Sequence, residues 1–432
     1  MKTTFLLLLL CLLSSLCNAS AADDAARLSL GEVTRAVLAQ NPAIKASFGK
    51  WNAAKARVPQ AAAWDDPRIT AESRVQRFVD IAPNAFTDQM VSIEQMIPIS
   101  GKNRARARIA VAEAVAAYED VRRQELDSIA AARSAFFRLA NAYAQLEVNR
   151  KNIESLKQIA DISRTKYETG TESAADVLVA ETEATSLVEA QRDLERQRSE
   201  QESRLNQLMN RDAFAPVGEP MVTSFESPEM STVDLRRLML AQRPEIKIAE
   251  AKVQAQQSKL QLAQRAWIPD PALGLKAQRY NEASQAVSEL DLGVSFTVPW
   301  VNFRKYGAEA REAAEETGAA RQGLEREQKE ALRLLRDQLE KIETFHHHVE
   351  LFRDKLVPQA QQAFEANRLS YESGKTSFLD WITAQRNFRD LEAKAREHFA
   401  EYQIALAELD AITGGEIYPS PAARHTHEGK SP

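Results

Sequence analysis

The sequence predicts a mostly α-helical chain with a membrane β-barrel segment, built from a duplicated helix–strand–strand–long helical hairpin unit. Three observations carry that prediction. The 432 residues hold only 14 Gly and 16 Pro amid abundant Ala, Gln, Glu, Arg and Leu, the composition of a few very long helices. The same punctuation recurs about two hundred residues apart along the chain. Four segments of ten or eleven residues alternate apolar with polar side chains, the length of a tilted membrane strand. A net charge of −5 leaves no footprint for nucleic acid, and 44% apolar residues exclude a disordered chain. A mean hydropathy of −0.41 argues against a helical membrane protein.

Residues 1–21 read as a cleavable signal peptide: Lys2, an apolar run from Phe5 to Leu13, then Ala19-Ser20-Ala21 as the cleavage site. Leu16 before Cys17 does not suit lipid attachment. Cleavage removes Cys11 and Cys17, both cysteines of the chain, so the exported protein has no thiol chemistry. Beyond Ala22 no run of 18 apolar residues occurs, so a membrane crossing has to be a β-barrel.

The first repeat spans 22–212, a linker 213–230, the second repeat 231–414 and a polar tail 415–432. Ala39-Gln40-Asn41-Pro42-Ala43-Ile44-Lys45 recurs as Ala241-Gln242-Arg243-Pro244-Glu245-Ile246-Lys247, and Tyr167-Glu168-Thr169-Gly170 as Tyr371-Glu372-Ser373-Gly374. Trp64-Asp65-Asp66-Pro67 and Ile97-Pro98 recur likewise, at Trp267 to Pro271 and Val298-Pro299, all at offsets of 201 to 204. In each copy a helix (31–63, 233–266) is broken by its X-Pro step. Strands follow at 68–77 and 87–97, then at 271–280 and 288–298. The clearest alternation puts Leu290, Leu292, Val294, Phe296 and Val298 on one face, as a lipid-facing barrel wall, against Glu289, Asp291, Ser295 and Thr297. Trp64, Phe78, Phe86, Trp267, Tyr280 and Trp300 flank the strands as interfacial aromatics. Alternation alone also suits soluble hairpins packed on helices, and four strands cannot close a barrel, so the membrane reading requires an oligomer.

Long helices at 102–168 and 302–373 have 67 and 72 positions, roughly 100 and 108 Å at 1.5 Å per residue. Returning helices at 173–208 and 377–411 together with the pre-strand helices nearly match those lengths, as stacked pairs lining a tube wall. Phe136, Leu139, Tyr143, Leu146, Ile153, Leu156 and Ala160 follow a coiled-coil seam, and so do Leu335, Leu339, Ile342, Val349, Phe352 and Leu356. Pro358 is expected to kink the second long helix.

The signal peptide, the duplicated helix–hairpin–helix plan and the Tyr-x-x-Gly turns together resemble the TolC family of outer-membrane efflux proteins, from about Leu28 to Ile412. The resemblance implies a homotrimer with four strands per chain in one twelve-stranded barrel, and helices forming a tunnel through the periplasm. It implies an outer-membrane location, a periplasmic adaptor (membrane fusion protein) and an inner-membrane pump as partners, contact with outer-membrane lipid, no cofactor and no enzymatic activity.

Two turns then form the periplasmic tip, with Tyr167, Gly170 and Gly374 at the turns. Both glycines suit a left-handed residue closing a helix, and Ser173-x-x-Asp176 and Ser377-x-x-Asp380 read as capping boxes. The caps alone account for both aspartates. The resemblance adds a gate: Asp380 and Asp176 match its acidic positions and Tyr371 its latch tyrosine. Thr376, with Lys375 beside it, stands where the family type has an arginine, and Thr383 replaces a second acidic residue.

For cargo, Asp66-Pro67, Asp270-Pro271, Pro98-Ile-Ser-Gly-Lys102 and Pro299-Trp-Val-Asn302 resemble the heavy-metal efflux branch. Heavy-metal cations are therefore the first expectation, and drugs or other small molecules, or a protein exported by a type I secretion duct, are the alternatives. His346, His347 and His348 point about 100° apart on a helix and do not converge on one ion, so no metal site is expected; His425 and His427 lie in the polar tail. A soluble periplasmic coiled-coil scaffold or adaptor is the competing class, and it does not require paired strands with aromatic ends.

Overall fold

The computed structural model describes residues 27–75, 86–171, 173–222, 224, 226, 231–280 and 287–415. The signal peptide, Gln76 to Phe78, part of the linker, and the tail beyond Gly415 with His425 and His427 lie outside them. Helices α1 (Leu30–Gln40) and α2 (Pro42–Ala62) lead into β1 (Arg68–Val75) and β2 (Phe86–Met96). The long α3 (Lys102–Glu168) and the returning α4 (Ala174–Leu208) follow. The second copy repeats the order as α5 (Thr232–Gln242), α6 (Pro244–Arg265), β3 (Ala272–Arg279), β4 (Glu289–Ser295), α7 (Phe303–Leu351), α8 (Val357–Glu372) and α9 (Phe378–Thr413). The chain divides into two compact units, each drawing on both copies: Met1–Lys45, Gln124–Ala241 and Ala331–Pro432 in one, Ala46–Arg123 and Gln242–Glu330 in the other.

The X-Pro breaks occur where expected. At the first, Asn41 accepts the amides of Ala43 and Ile44 on its Oδ1, at 2.8 and 3.3 Å, and donates from Nδ2 to Leu208 O at 3.0 Å. The break is thus capped and tied to the end of α4. Pro358 does not leave one kinked helix. A π turn over Phe352–Leu356 separates α7 from α8. Proline has no N–H to donate and its ring crowds the carbonyl four residues back, and the wider π turn accommodates both.

The predicted seams are the core of the first unit. Phe136, Leu139 and Leu205 are fully buried with Val33, Val37 and Ile404 in one cluster, and Leu156 with Ala180, Trp381 and Ile382 in a second. Leu335 and Ile342 are buried as well. Arg133 of α3 pairs with Asp410 of α9 at 2.5 Å, both out of solvent.

In the second unit the strands form one antiparallel sheet in the order β1-β2-β3-β4. Directly paired residues share a face, so the register sorts the sheet into rows. Ile69, Ile93, Leu275 and Leu292 make one row, Ala71, Val91, Ala277 and Leu290 the next, and Leu273 and Val294 a third, all on one face. The opposite face carries Thr70, Ser92, Lys276 and Asp291, and Glu72, Met90, Gln278 and Glu289.

Three strands are shorter than expected, with eight, eight and seven residues for β1, β3 and β4. Phe296, placed on the barrel face from sequence, lies one residue past the end of β4, and Val298 three residues past it. Its partner position would be Pro271, which has no amide to donate, so the β3–β4 ladder ends at Ala272 opposite Ser295. Trp64, Trp267 and Trp300 are all exposed, before β1, before β3 and after β4, which is one and the same end of the sheet.

Candidate gate at the helix turns

The turns close as their glycines require. Gly170 and Gly374 have φ of +73° and +72°. Thr171 N donates to Lys166 O at 2.9 Å and Lys375 N to Ser370 O at 2.8 Å, six-to-one closures in both copies. A side chain at either glycine would be strained by that backbone. Each next helix then opens on its serine. The Ser377–Asp380 pair is a full capping box: Asp380 N donates to Ser377 Oγ at 3.3 Å, and Ser377 N to Asp380 Oδ2 at 3.2 Å. The first copy has Asp176 N donating to Ser173 Oγ at 3.4 Å, and the Ser173 hydroxyl to Asp176 Oδ2 at 2.8 Å.

Asp380 is solvent-exposed at the start of α9, and Asp176 is half-buried at the start of α4. The hydroxyl of Ser377, and after it the Ser377 amide, hold the Asp380 carboxyl below the usual carboxylate range. It is therefore an anion throughout the physiological range while it caps its helix. Thr383 is exposed and Lys375 is exposed.

The two turn tyrosines, equivalent in sequence, are placed differently. Tyr167 is exposed, whereas Tyr371 is only 2% exposed. Tyr371 stacks on Trp381 at 4.8 Å between centroids and meets Phe378 edge-on at 6.0 Å. Its hydroxyl lies 3.3 Å from Ser163 Oγ of α3. Lys166 Nζ stands over the Tyr371 ring, 3.6 Å from its centroid, and donates to Tyr371 O at 2.9 Å. The structure thus brings Tyr371 together with Ser163, Lys166 and Trp381, three residues that sequence reasoning missed. Trp381 had a readable signal, an aromatic one step after the capping aspartate and in phase with Phe378. Lys166 and Ser163 had none, because their partner lies about two hundred residues away.

Two of the motifs around the strands meet each other. Asp270 accepts Ser100 N at 2.7 Å and the Ser100 hydroxyl at 2.8 Å, and pairs with Lys102 at 3.3 Å. Lys102 also donates to Ile268 O at 2.7 Å. Burial works to raise the Asp270 carboxyl, but the Ser100 and Lys102 donors outweigh it and hold it low. Pro98-Ile-Ser-Gly-Lys102 and Asp270-Pro271 therefore weld the end of β2 to the start of β3.

Among the described residues no group of three or more His, Cys, Asp or Glu could hold a metal ion. Of the histidine run, His346 meets Tyr402 and His348 meets His398, both of α9, at 5.4 and 4.7 Å between centroids, with Phe352 also against His398 at 4.8 Å. No helix is long and apolar enough to cross a membrane among the described residues.

Comparison with known proteins agrees with this geometry. The family model for the outer membrane efflux protein matches residues 33–211 and 235–415. The pyoverdine export outer membrane protein OpmQ of Pseudomonas aeruginosa is 26% identical over 322 residues, covering 69% of this chain and 65% of OpmQ. The toluene efflux pump outer membrane protein TtgF of Pseudomonas putida is 25% identical over 311 residues, covering 69% and 63%. The chain thus spans just under two thirds of the length of these relatives. Among solved structures, the outer-membrane channel OprN superposes with a TM-score of 0.78 at 18% identity, over 90% of this chain and 91% of OprN. CusC superposes with a TM-score of 0.79 at 16% identity, over 90% and 93%. At such identities the structures establish the fold: a helical tunnel segment with one barrel segment.

Proposed function

The chain belongs to the outer membrane efflux protein family, and from that premise we propose that it is the exit duct of a tripartite efflux system. Three copies close the sheet, whose outer edges β1 and β4 are open in one chain, into a twelve-stranded barrel in outer-membrane lipid. A periplasmic adaptor and an inner-membrane pump deliver solute to the helix turns, and the duct passes it without chemical change. The observation that carries this reading is the register-sorted sheet. Rows of exposed aliphatic side chains on one face and charged or polar ones on the other are what lipid outside and water inside require. The family also sets aside the soluble scaffold.

Cargo is read from the turns. In a trimer three copies of Asp380 form a ring favouring cations over anions, and heavy-metal cations are the first cargo on that basis. The second reading, small organic solutes, is favoured by the relatives named for pyoverdine export and toluene efflux. Single-channel conductance of the purified protein in a planar bilayer tests both. Discrete cation-selective steps, blocked by divalent ions in the native protein but not in Asp380→Ala, are the expected result. Failure to insert would refute the duct, and steps indifferent to Asp380 would refute the cation reading.

A further inference from the structure

We propose that Lys166 is the latch cation of this tip: it clamps the α8–α9 turn to α3 through the ring and the main-chain carbonyl of Tyr371. The inference rests on the duct reading above and names what holds the duct shut.

The geometry is specific. Lys166 lies in the last turn of α3, half-buried, and its ammonium makes two contacts with one residue 205 positions away, at 3.6 Å to the ring and 2.9 Å to the carbonyl. Trp381 stacks on the same ring, so Tyr371 is gripped by a cation from the first copy and an indole from the second. An ammonium held over an aromatic ring that is out of solvent attracts it more strongly than at an exposed site. A hydrogen bond from a charged donor is about twice as strong as a neutral one.

The rest of the hairpin's packing is less complete. Trp381 Nε1 and Thr376 Oγ1 are buried with no hydrogen-bond partner among the described residues. Each such group opposes the packed arrangement through lost solvation. Contacts from outside the hairpin therefore matter to whether it stays packed, and at Tyr371 they include the charged group of Lys166. Thr376 supplies no charge, and Lys375 on the same turn is exposed. Lys166 touches Tyr371 with its ammonium. The clamp is also one-sided: the position of Lys166 in the second copy is Ser370, and Tyr167, the counterpart of Tyr371, is exposed. The α8–α9 hairpin is thus the element released when the contact breaks.

The test compares Lys166→Met, which keeps the apolar stem, with Lys166→Arg, which keeps the charge and donors, and with Tyr371→Phe, which keeps ring and carbonyl. In planar bilayers Lys166→Met is expected to open roughly tenfold more often, the ratio that about 1.4 kcal/mol of lost contact gives. Lys166→Arg should behave as the native protein, and Tyr371→Phe should change opening less than Lys166→Met does. Hydrogen exchange of residues 369–382 in the purified protein provides a second readout that needs no channel, and Lys166→Met should speed it by a similar factor. Native channels with an unchanged Lys166→Met variant would overturn the latch and leave the duct standing. Absence of any native channel would overturn the duct, and exchange unchanged by Lys166→Met would then overturn the clamp as well. A Lys166→Arg variant as open as Lys166→Met would reduce Lys166 to a packing residue and refute the proposal.

Discussion

Replacing Leu292 by Arg tests the sheet more sharply than any other single change. Leu292 is the middle residue of the seven in β4, in the row with Ile69, Ile93 and Leu275, and 80% of it is exposed in the chain. A mid-strand position on the lipid face lies near the bilayer midplane, where Arg costs about 2–4 kcal/mol. At 1.36 kcal/mol per factor of ten that is roughly 30- to 900-fold against insertion per chain, and the proposed trimer carries the cost three times. The neighbouring Asp291→Arg is the control, because one step along a strand turns the side chain to the other face. Asp291 faces Lys276 at 4.0 Å, with both side chains well exposed, so its loss costs at most about 1 kcal/mol. Heat-resistant trimer in the outer-membrane fraction is the measurement. Leu292→Arg should abolish it and Asp291→Arg should retain most of it. Equal depletion, or the reverse order, would refute the assignment of the two faces.

Other perturbations address the tip, the strand entry and the histidine pair. Because the Asp380 carboxyl is held below its ordinary value of 3.8, its help to the cap is complete above that value and is lost as pH falls through the folded one. Hydrogen exchange at residues 377–382 should accelerate only in that acid range, and in Asp380→Asn it should be independent of pH there. Asp270→Ala removes the charged acceptor shared by Ser100 and Lys102 and should cost about 1.5–3 kcal/mol, read as a lowered melting temperature; an unchanged one would make the weld incidental. Burial, and after it the charge of His348, holds the His398 imidazole below its ordinary 6.5, although Glu397 and Glu401 pull the other way. The unfolded chain therefore binds that proton first, and stability falls as pH drops below about 6.5 toward the folded value. Thermal melts at pH 7.5 and 5.5 should show a larger acid loss in the native protein than in His398→Phe.

Much of the architecture was legible because its signals are local. The bounds of α3, the X-Pro breaks, the two glycine turns and their capping serines depend on residues within a few positions of one another, and all appear as read. Strand ends were less legible: alternation continues through Phe296 and Val298, but pairing stops where the partner is a proline on another strand. The π turn before Pro358 escaped for a related reason, since a proline announces disruption without saying how the helix absorbs it.

The candidate site divides along the same line. Composition, repeat spacing and strand alternation by themselves determined a duplicated helical chain with one lipid-compatible sheet, because hydrophobic period and turn chemistry act over a few residues. Only the tertiary structure decided that Tyr371 is buried while Tyr167 is exposed, that Lys166 of the first copy touches it, and that Asp270 joins Ser100 and Lys102. Each of those contacts links residues more than 160 positions apart, brought together by the packing of whole helices and strands, and no local pattern in the chain specifies which side chains then meet.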